Sequence, residues 1–300
     1  MSDGILLVDK PSGMSSADVV RAVKRRHGLT SIGHLGTLDP MATGLLPLCI
    51  GAGTKIAQFL VAERKAYRGT IRLGLATDTL DVTGATVARA EVPVISEEQL
   101  AGVAAALHGP QDQLPPMYSA VKFRGRELYK HARAGTTVER VPRAIVIEEL
   151  ELHAAAPDLL EFSVRCSKGT YVRVLAEDVG RSLGTLATLA SLRRTEFGPF
   201  TVDAAEPLDR LLAPDAGLSP IGVLPALAEA RRLPVDDATA FAIAAGQPGG
   251  IRRLEPPASE ERLGAVVAPD GRLLAVVARD GSAWRLCRVL LPEAVQLYRP

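Results

Sequence analysis

One stretch of this sequence strongly favours a β-strand with one buried side. In AYRGTIRLGLA (66–76) apolar and polar residues alternate, and successive side chains of a strand point to opposite sides. One side carries Tyr67, Ile71, Leu73 and Leu75, and the other carries Arg68, Thr70 and Arg72. The chain therefore needs a sheet that is covered on one face and open to water or a partner on the other.

Helices and strands flank this segment. ILLV (5–8) predicts a buried strand, and ADVVRAVKRR (17–26) predicts a helix that Ser15 caps and Gly28 ends. Two further helices are predicted in SEEQLAGVAAALHG (96–109), with Ser96 as N-cap, and in TYVRVLAEDVGRSLG (170–184). Two further strands are predicted in IVIEELELHA (145–154) and LEFSVRCS (160–167).

The C-terminal part has a different pattern. VLPALAEARRLPVDD (223–237) predicts a helix followed by a domain boundary, and ATAFAIAAG (238–246) predicts another helix. Beyond them, PDG and DGS turns separate three short strands. This spacing predicts a small β-barrel of about 70 residues.

The composition indicates a soluble globular protein, because 47% of the residues are hydrophobic and 23% are charged. No apolar run reaches membrane-spanning length, and the N-terminus lacks the basic and long apolar regions of a signal peptide. We therefore expect a cytoplasmic protein with no membrane partner. Cys49, Cys166 and Cys287 form no C-x-x-C pair, and no cluster has metal-ligand spacing, so we expect neither a disulfide nor a metal.

Charge is unevenly distributed although the net charge is only +1. KFRGRELYKHAR (122–133) carries five basic residues against the single acid Glu127, and RAVKRR, ERKAYRGTIR and RCSKGTYVR are further basic segments. Aromatic residues lie within or beside several of these segments, which suits contact with phosphates and stacking on bases. The alternative is ordinary solvated surface charge, but four such segments modestly favour an RNA or DNA partner.

GHLGTLDPMATGLLPL (33–48) holds one carboxylate, Asp39, among glycines, prolines and aliphatic residues. Asp-Pro is a common turn former, so the local sequence favours a turn, while an unpaired carboxylate in apolar surroundings is costly and suggests a reactive group. Both interpretations remain open from these residues. GAGTK (51–55) lacks the spacing of a phosphate-binding P-loop, and no G-x-S-x-G hydrolase motif is present.

GHLGTLDPMATGLLPL resembles the catalytic motif of the TruB family of pseudouridine synthases. LLVDKPSGMSS resembles that family's N-terminal motif, KAYRGTIRLGLATDTLD its tyrosine-bearing strand, QLPPMYSAVKFRGRELYKHARAG its insertion and CSKGTYVRVLAEDVG its arginine motif. The resemblance covers most of residues 5–200 and is looser after 230. It implies an α+β fold with a mixed, mainly antiparallel sheet flanked by helices. It also implies a catalytic domain over 1–229, with an RNA-gripping insertion at about 110–140, and a PUA-like β-barrel over 230–300.

The resemblance also assigns roles to individual residues. Asp39 would be the nucleophile, Arg173 the cation that keeps it ionised, and Tyr67 the ring that stacks on the target base. The remaining residues would surround the substrate: Leu192 on the other face of the base, Tyr171 in the pocket wall, Lys10 and Lys55 near the substrate, and His34 in the gap left by flipped bases.

The family's reaction isomerises uridine to pseudouridine at position 55 in the T-loop of tRNA, after the base is flipped out of its stack. The resemblance implies a monomer that uses no cofactor and no guide RNA. A non-catalytic RNA-binding or tRNA-folding protein on the same scaffold is the alternative. A guide-RNA-dependent pseudouridylase is a third reading, and the insertion, which resembles that of the stand-alone enzymes, argues against it.

Overall fold

The computed structural model describes residues 3–60 and 64–298. The larger part of the fold comprises β1 Gly4–Lys10, α1 Ser16–His27, β2 Ile32–His34, β3 Thr43–Ile50, α2 Gly53–Ile56, β4 Arg64–Leu73, β5 Leu75–Thr77, β6 Thr86–Arg89, α3 Glu97–Ala106, β7 Gly109–Gln113, β8 Lys122–Phe123, β9 Arg126–Glu127, α4 Leu128–Arg133, β10 Arg143–Ala156, β11 Leu159–Ser167, α5 Val172–Ser182, β12 Ala187–Phe197, β13 Phe200–Thr201, β14 Glu206–Pro207 and α6 Leu208–Leu212. The C-terminal part comprises α7 Val223–Ala226, β15 Arg231–Pro234, α8 Asp237–Ala244, α9 Pro248–Arg252, β16 Leu263–Val267, β17 Leu273–Asp280, β18 Ala283–Val289 and α10 Ala294–Leu297. Ala57–Phe59 and Val202–Ala204 form 3₁₀ turns.

A ten-stranded sheet forms the centre of the fold, with the order β14-β1-β3-β12-β4-β11-β10-β7; β2 also pairs with β3, and β13 with β12. β1 is parallel to β14 and β12 is parallel to β3, while the other neighbours in this sheet are antiparallel. The expected α+β fold with a mixed, mainly antiparallel sheet is therefore confirmed.

Local sequence signals explain the first helix. The Ser15 side chain accepts a hydrogen bond from the Asp18 amide, while the Asp18 carboxylate accepts one from the Ser15 amide. Gly28 ends the helix in the left-handed conformation, at φ +60°. The helix and both of its predicted caps are confirmed. Hydrogen bonds between Ser16 and Leu38 hold the start of α1 next to the loop that carries Asp39.

The alternation in β4 places Tyr67, Ile71 and Leu73 in the core, as predicted. Leu75 was also expected on this side, and that was wrong. Gly74 adopts φ +75°, which ends the strand, and Leu75 begins β5 in a separate hairpin with β6.

Two apolar cores cover opposite sides of β1 and β3. One packs the central sheet against α1, α3 and α5. The other joins Ile5, Leu7 and Leu45 to side chains of the C-terminal part, among them Leu273 and Val276. The C-terminal part is thus attached to the central sheet through a continuous apolar core.

The C-terminal strands form a four-stranded sheet in the order β15-β16-β17-β18, compatible with a PUA-like unit. The three strands separated by PDG and DGS occur as predicted. The helix expected from residue 223 is confined to Val223–Ala226, because Arg231–Pro234 instead pairs in parallel with β16. Within the described ranges, no helix is both long and apolar enough to cross a membrane.

Candidate active site

Asp39 lies in the loop between β2 and β3, and side chains from three other parts of the chain hold this loop. Arg194 in β12 donates to the carbonyls of Gly36 (3.1 Å) and Thr37 (3.4 Å). The buried Ser16 hydroxyl donates to the Leu38 carbonyl (3.2 Å) and accepts from the Leu38 amide (2.8 Å). The segment before Asp39 is therefore fixed by β12 and by the first turn of α1.

The segment after Asp39 is fixed by the turn that follows β1. The Pro40 carbonyl accepts from the Gly13 amide (2.8 Å) and the Lys10 ammonium (3.2 Å), and the Met41 carbonyl accepts from the Ser12 hydroxyl (3.0 Å). The Asp39 carbonyl accepts from the Ala42 amide (3.0 Å). Every main-chain carbonyl from Gly36 to Met41 is thus occupied.

Arg173 holds the Asp39 carboxylate. Its Nε lies 2.9 Å from Asp39 Oδ2, and its Nη2 lies 3.3 Å from Asp39 Oδ1. The same guanidinium donates to the carbonyls of Thr79 (2.8 Å) and Tyr118 (2.7 Å). Since these contacts come from three separate segments, α5 presents one rigid planar cation that fixes the direction of the carboxylate.

Asp81 is a second carboxylate beside Arg173, and no pattern in the sequence singled out this residue. Its Oδ2 lies 4.0 Å from Arg173 Nε, and only 7% of its side chain is exposed. The Thr79 hydroxyl and the Thr83 amide and hydroxyl donate to Asp81 Oδ1. The left-handed conformation of Leu80, at φ +62°, turns the chain between the Thr79 carbonyl and Asp81, which both face Arg173.

The electrostatics of Asp39 reflect two opposing influences. Burial raises the pKa of Asp39 above its usual value, while the charge of Arg173 lowers it. About a third of the Asp39 side chain remains exposed, in contrast to 6% for Arg173. The site therefore holds one carboxylate at an opening and keeps its counter-charge inside the protein.

Tyr67 in β4 lies directly across from Arg194 in β12, on the same side of the sheet. Burial raises the pKa of the Tyr67 hydroxyl, and the charge and hydrogen bonding of Arg194 oppose that rise. Sequence reasoning selected Tyr67 but not Arg194, because only the register of two distant strands brings them together.

Leu192 is buried in β12, two residues before Arg194, and pairs with Gly69. It lines an open cavity of about 660 Å³ together with Met41, Thr43, Val82 and Thr83, among others. Met41 lies two residues after Asp39 in the chain, and Val82 follows Asp81 directly. The cavity therefore runs beside the loops that carry these two carboxylates.

The remaining predicted residues lie at different depths. The fully buried Lys10 ammonium donates to the carbonyls of Pro11 (2.8 Å) and Met14 (2.6 Å) besides that of Pro40, so its donors support the loop. Burial lowers the pKa of Lys10 to about 8. The main chain of Tyr171 exchanges two hydrogen bonds with the Gln113 side chain at the start of α5.

His34 and Lys55 lie outside the contacts described for Asp39, Tyr67 and Arg173. His34 is half-buried at the end of β2, burial lowers its pKa, and its Nδ1 has no hydrogen-bond partner in the part of the chain that the structure describes. Lys55 is exposed on the short helix α2.

The predicted insertion forms the β8–β9 hairpin and α4, and it reaches the site through the Tyr118 carbonyl on Arg173. Two half-buried aromatic rings, Phe123 and Tyr129, contact cations of the same segment. Its basic side chains are exposed: Lys122, Arg124, Arg126, Lys130 and Arg133. Over residues 3–60 and 64–298, no group of His, Cys, Asp or Glu is arranged to hold a metal ion.

Known proteins resemble this chain over most of its length. The family model described as TruB family pseudouridylate synthase (N terminal domain) matches residues 24–172. A protein named tRNA pseudouridine synthase B from Bordetella avium (strain 197N) is 47% identical over 229 residues, which cover 75% of this chain and 94% of the relative. A protein of the same name from Aromatoleum aromaticum is 50% identical over 211 residues, which cover 70% of this chain and 68% of that relative.

Solved structures share the fold over nearly the whole chain. A chain in a Cbf5–Nop10–Gar1 complex has a TM-score of 0.71 at 24% identity, with 99% of this chain and 87% of that chain covered. A chain in an H/ACA RNP bound to a substrate RNA containing 2′-deoxyuridine has a TM-score of 0.68 at 20% identity, with 96% and 85% covered. At these identities the likeness shows a common fold.

Proposed function

This chain belongs to the TruB family of pseudouridylate synthases, and from that premise we propose that it isomerises uridine to pseudouridine at position 55 in the T-loop of tRNA, with Asp39 as the nucleophile. The observation that carries the proposal is the Asp39–Arg173 pair, in which a rigid buried cation presents a carboxylate at an opening. The name of the relatives, tRNA pseudouridine synthase B, supports tRNA as the substrate.

The reaction breaks the bond between N1 of uracil and C1′ of ribose and forms a bond between C5 and C1′. The proton on C5 is released and N1 gains a proton, so nothing is oxidised. An ionised Asp39 can attack C1′, remove the C2′ proton to give a glycal, or add to C6 of the base. Each route needs the Asp39 carboxylate ionised and held in a fixed direction. Arg173 favours the ionised form by its charge and fixes the direction by its two contacts with the carboxylate oxygens.

Tyr67 and Leu192 lie on the same side of neighbouring strands, two positions apart in register, so a flipped base between them would meet a ring and an aliphatic group. Tyr171 would line the pocket and His34 would fill the gap left in the RNA stack. The half-buried position of His34 at the end of β2 is compatible with that role.

The exposed cations of the insertion at about 110–140 suit the phosphates of the T-arm. Lys55 is exposed and suits a phosphate contact, whereas we assign the buried Lys10 to support of the Asp39 loop. We assign catalysis to residues 1–229 and RNA binding near the acceptor end to 230–300, in a monomer that acts without cofactor or guide RNA.

A non-catalytic RNA-binding protein on this scaffold is the alternative. A pure binder has no need for a buried arginine shared by two carboxylates, so the contacts of Arg173 with Asp39 and Asp81 favour an enzyme.

The test is tritium release from unmodified tRNA labelled at C5 of uridine, with Asp39→Asn compared with wild type. Asp158→Asn, which changes an exposed carboxylate paired with Arg72, is the matched control. We expect release by wild type and by the control, none by Asp39→Asn, and none from wild type when cytidine replaces uridine 55. If wild type bound tRNA without releasing tritium, the proposed enzymatic activity would be refuted. If Asp39→Asn released as much tritium as wild type, the assignment of Asp39 as the nucleophile would be refuted.

A further inference from the structure

Arg194 is a fully buried arginine at the centre of the molecule, and the contacts described for it include no carboxylate. Its Nε donates to the Leu45 carbonyl (2.7 Å), and its two Nη groups donate to Thr37 and Gly36. Its guanidinium lies 5.3 Å from the centre of the Phe197 ring. The charge is therefore accommodated by carbonyl dipoles and an aromatic ring.

Burying a cation without an anion is expensive, and an apolar residue of similar volume would avoid that cost. Stability alone therefore gives a weak reason for an arginine here. A stronger reason lies in what the guanidinium connects: its donors reach β3 and the loop before Asp39, while Tyr67 faces it from β4.

We propose that Arg194 is a positioning residue that couples Tyr67 to the Asp39 loop, so that the base-stacking ring and the carboxylate keep one fixed relative placement. This inference rests on the proposed function. Tyr67 lies directly across from Arg194 in the neighbouring strand. Because a guanidinium can only donate hydrogen bonds, Arg194 can serve Tyr67 only as a donor to the phenolic oxygen, which leaves the phenolic proton available to another group. Arg194 is not among the residues that line the cavity, and the hydrogen bonds described for it go to main-chain carbonyls, so it acts through Tyr67 and the loop carbonyls.

The first test compares Arg194→Lys with Arg165→Lys, which changes an arginine that pairs with Glu149 and Glu196 on the other side of the sheet. Single-turnover tritium release and tRNA affinity are measured separately. We expect Arg194→Lys to lower the single-turnover rate by roughly 100-fold, the order expected for a misplaced reacting group. Affinity should stay within about threefold because phosphate contacts dominate it.

Tyr67→Phe supplies the double-mutant cycle. We expect Tyr67→Phe with Arg194→Lys to lose much less activity than the product of the two single losses. Fully multiplicative losses, or an unchanged rate in Arg194→Lys, would overturn the coupling. A wild type that releases no tritium would instead refute the proposed function.

A second measurement leaves Arg194 intact, in case Arg194→Lys does not fold. Hydrogen exchange of amides in residues 36–42 is compared between wild type and Tyr67→Phe, with residues 263–289 as the internal control. We expect exchange in 36–42 to accelerate by about fivefold, the factor for one lost hydrogen bond, and the control to stay constant. Unchanged exchange in 36–42 would overturn the coupling whatever the enzyme's activity.

Discussion

Replacing Arg173 with methionine removes the counter-charge of Asp39 while keeping a long apolar side chain. An opposite charge at this distance lowers a carboxyl pKa by about 1–3 units. Because a third of the Asp39 side chain is exposed, solvent screens the pair, and we expect the pKa of Asp39 in Arg173→Met to rise by an amount at the lower end of that range. Burial already raises the pKa of Asp39, so the loss of Arg173 in the variant brings that pKa still closer to neutral pH.

The sign of the effect on catalysis follows from the need for an ionised nucleophile. Activity falls as pH drops through the pKa of Asp39, so the acid limb of the wild-type profile should lie above the usual aspartate range. In Arg173→Met the acid limb should move to higher pH together with the pKa of Asp39. Single-turnover tritium release is measured from pH 5 to pH 9. This range separates the shift of the acid limb from the loss of rate at high pH, where Asp39 is ionised but no longer oriented by Arg173.

The matched control is Arg181→Met, an exposed arginine on the same helix that pairs with Asp178. Its profile should superimpose on that of wild type. Circular dichroism checks folding, because Arg173→Met also leaves the buried Asp81 without its cation. A lower rate with an unmoved acid limb would refute the claim that Arg173 controls the ionisation of Asp39.

Three further perturbations test the support of the site. Ser16→Ala removes both hydrogen bonds to Leu38 and should lower the free energy of unfolding by about 1–3 kcal/mol in urea titrations; an unchanged midpoint would contradict it. The free energy of unfolding of wild type should rise between about pH 8 and pH 10.5, because Lys10 has lost its proton in the folded protein and still carries it in the unfolded chain. Lys10→Met should lack this rise, and an equal dependence of stability on pH in both proteins would refute the prediction. A chain ending at residue 229 uncovers Ile5 and Leu7 and should be destabilised on the order of 5 kcal/mol; an unchanged thermal midpoint would show that the shared core is dispensable.

Features encoded within a few residues were predictable. The caps of α1 at Ser15 and Gly28, the alternation of β4 and the short C-terminal strands all follow from local rules, and the structure has each of them. Local rules failed where pairing overrides propensity, as in Arg231–Pro234, which becomes a strand because β16 offers it an edge.

The residues of the site likewise fall into those that could be predicted from the sequence and those that could not. Asp39, Tyr67 and Arg173 came from resemblance, and the structure brings Asp39 and Arg173 into contact. Arg194 and Asp81 were missed, because their importance depends on which distant strands and loops they meet. Lys10 was predicted near the substrate, yet its depth and its carbonyl partners became visible only in three dimensions.

The occupied carbonyls from Gly36 to Met41 have a consequence for the entropy of RNA binding. Folding has already fixed these peptide groups, so an incoming base need not order the loop, and that part of the usual entropic loss on association is absent. The carbonyls of the same peptides already accept hydrogen bonds from the protein. The loop can therefore offer a bound nucleotide its side chains and amides, and a base that depends on a carbonyl acceptor must find it elsewhere in the pocket.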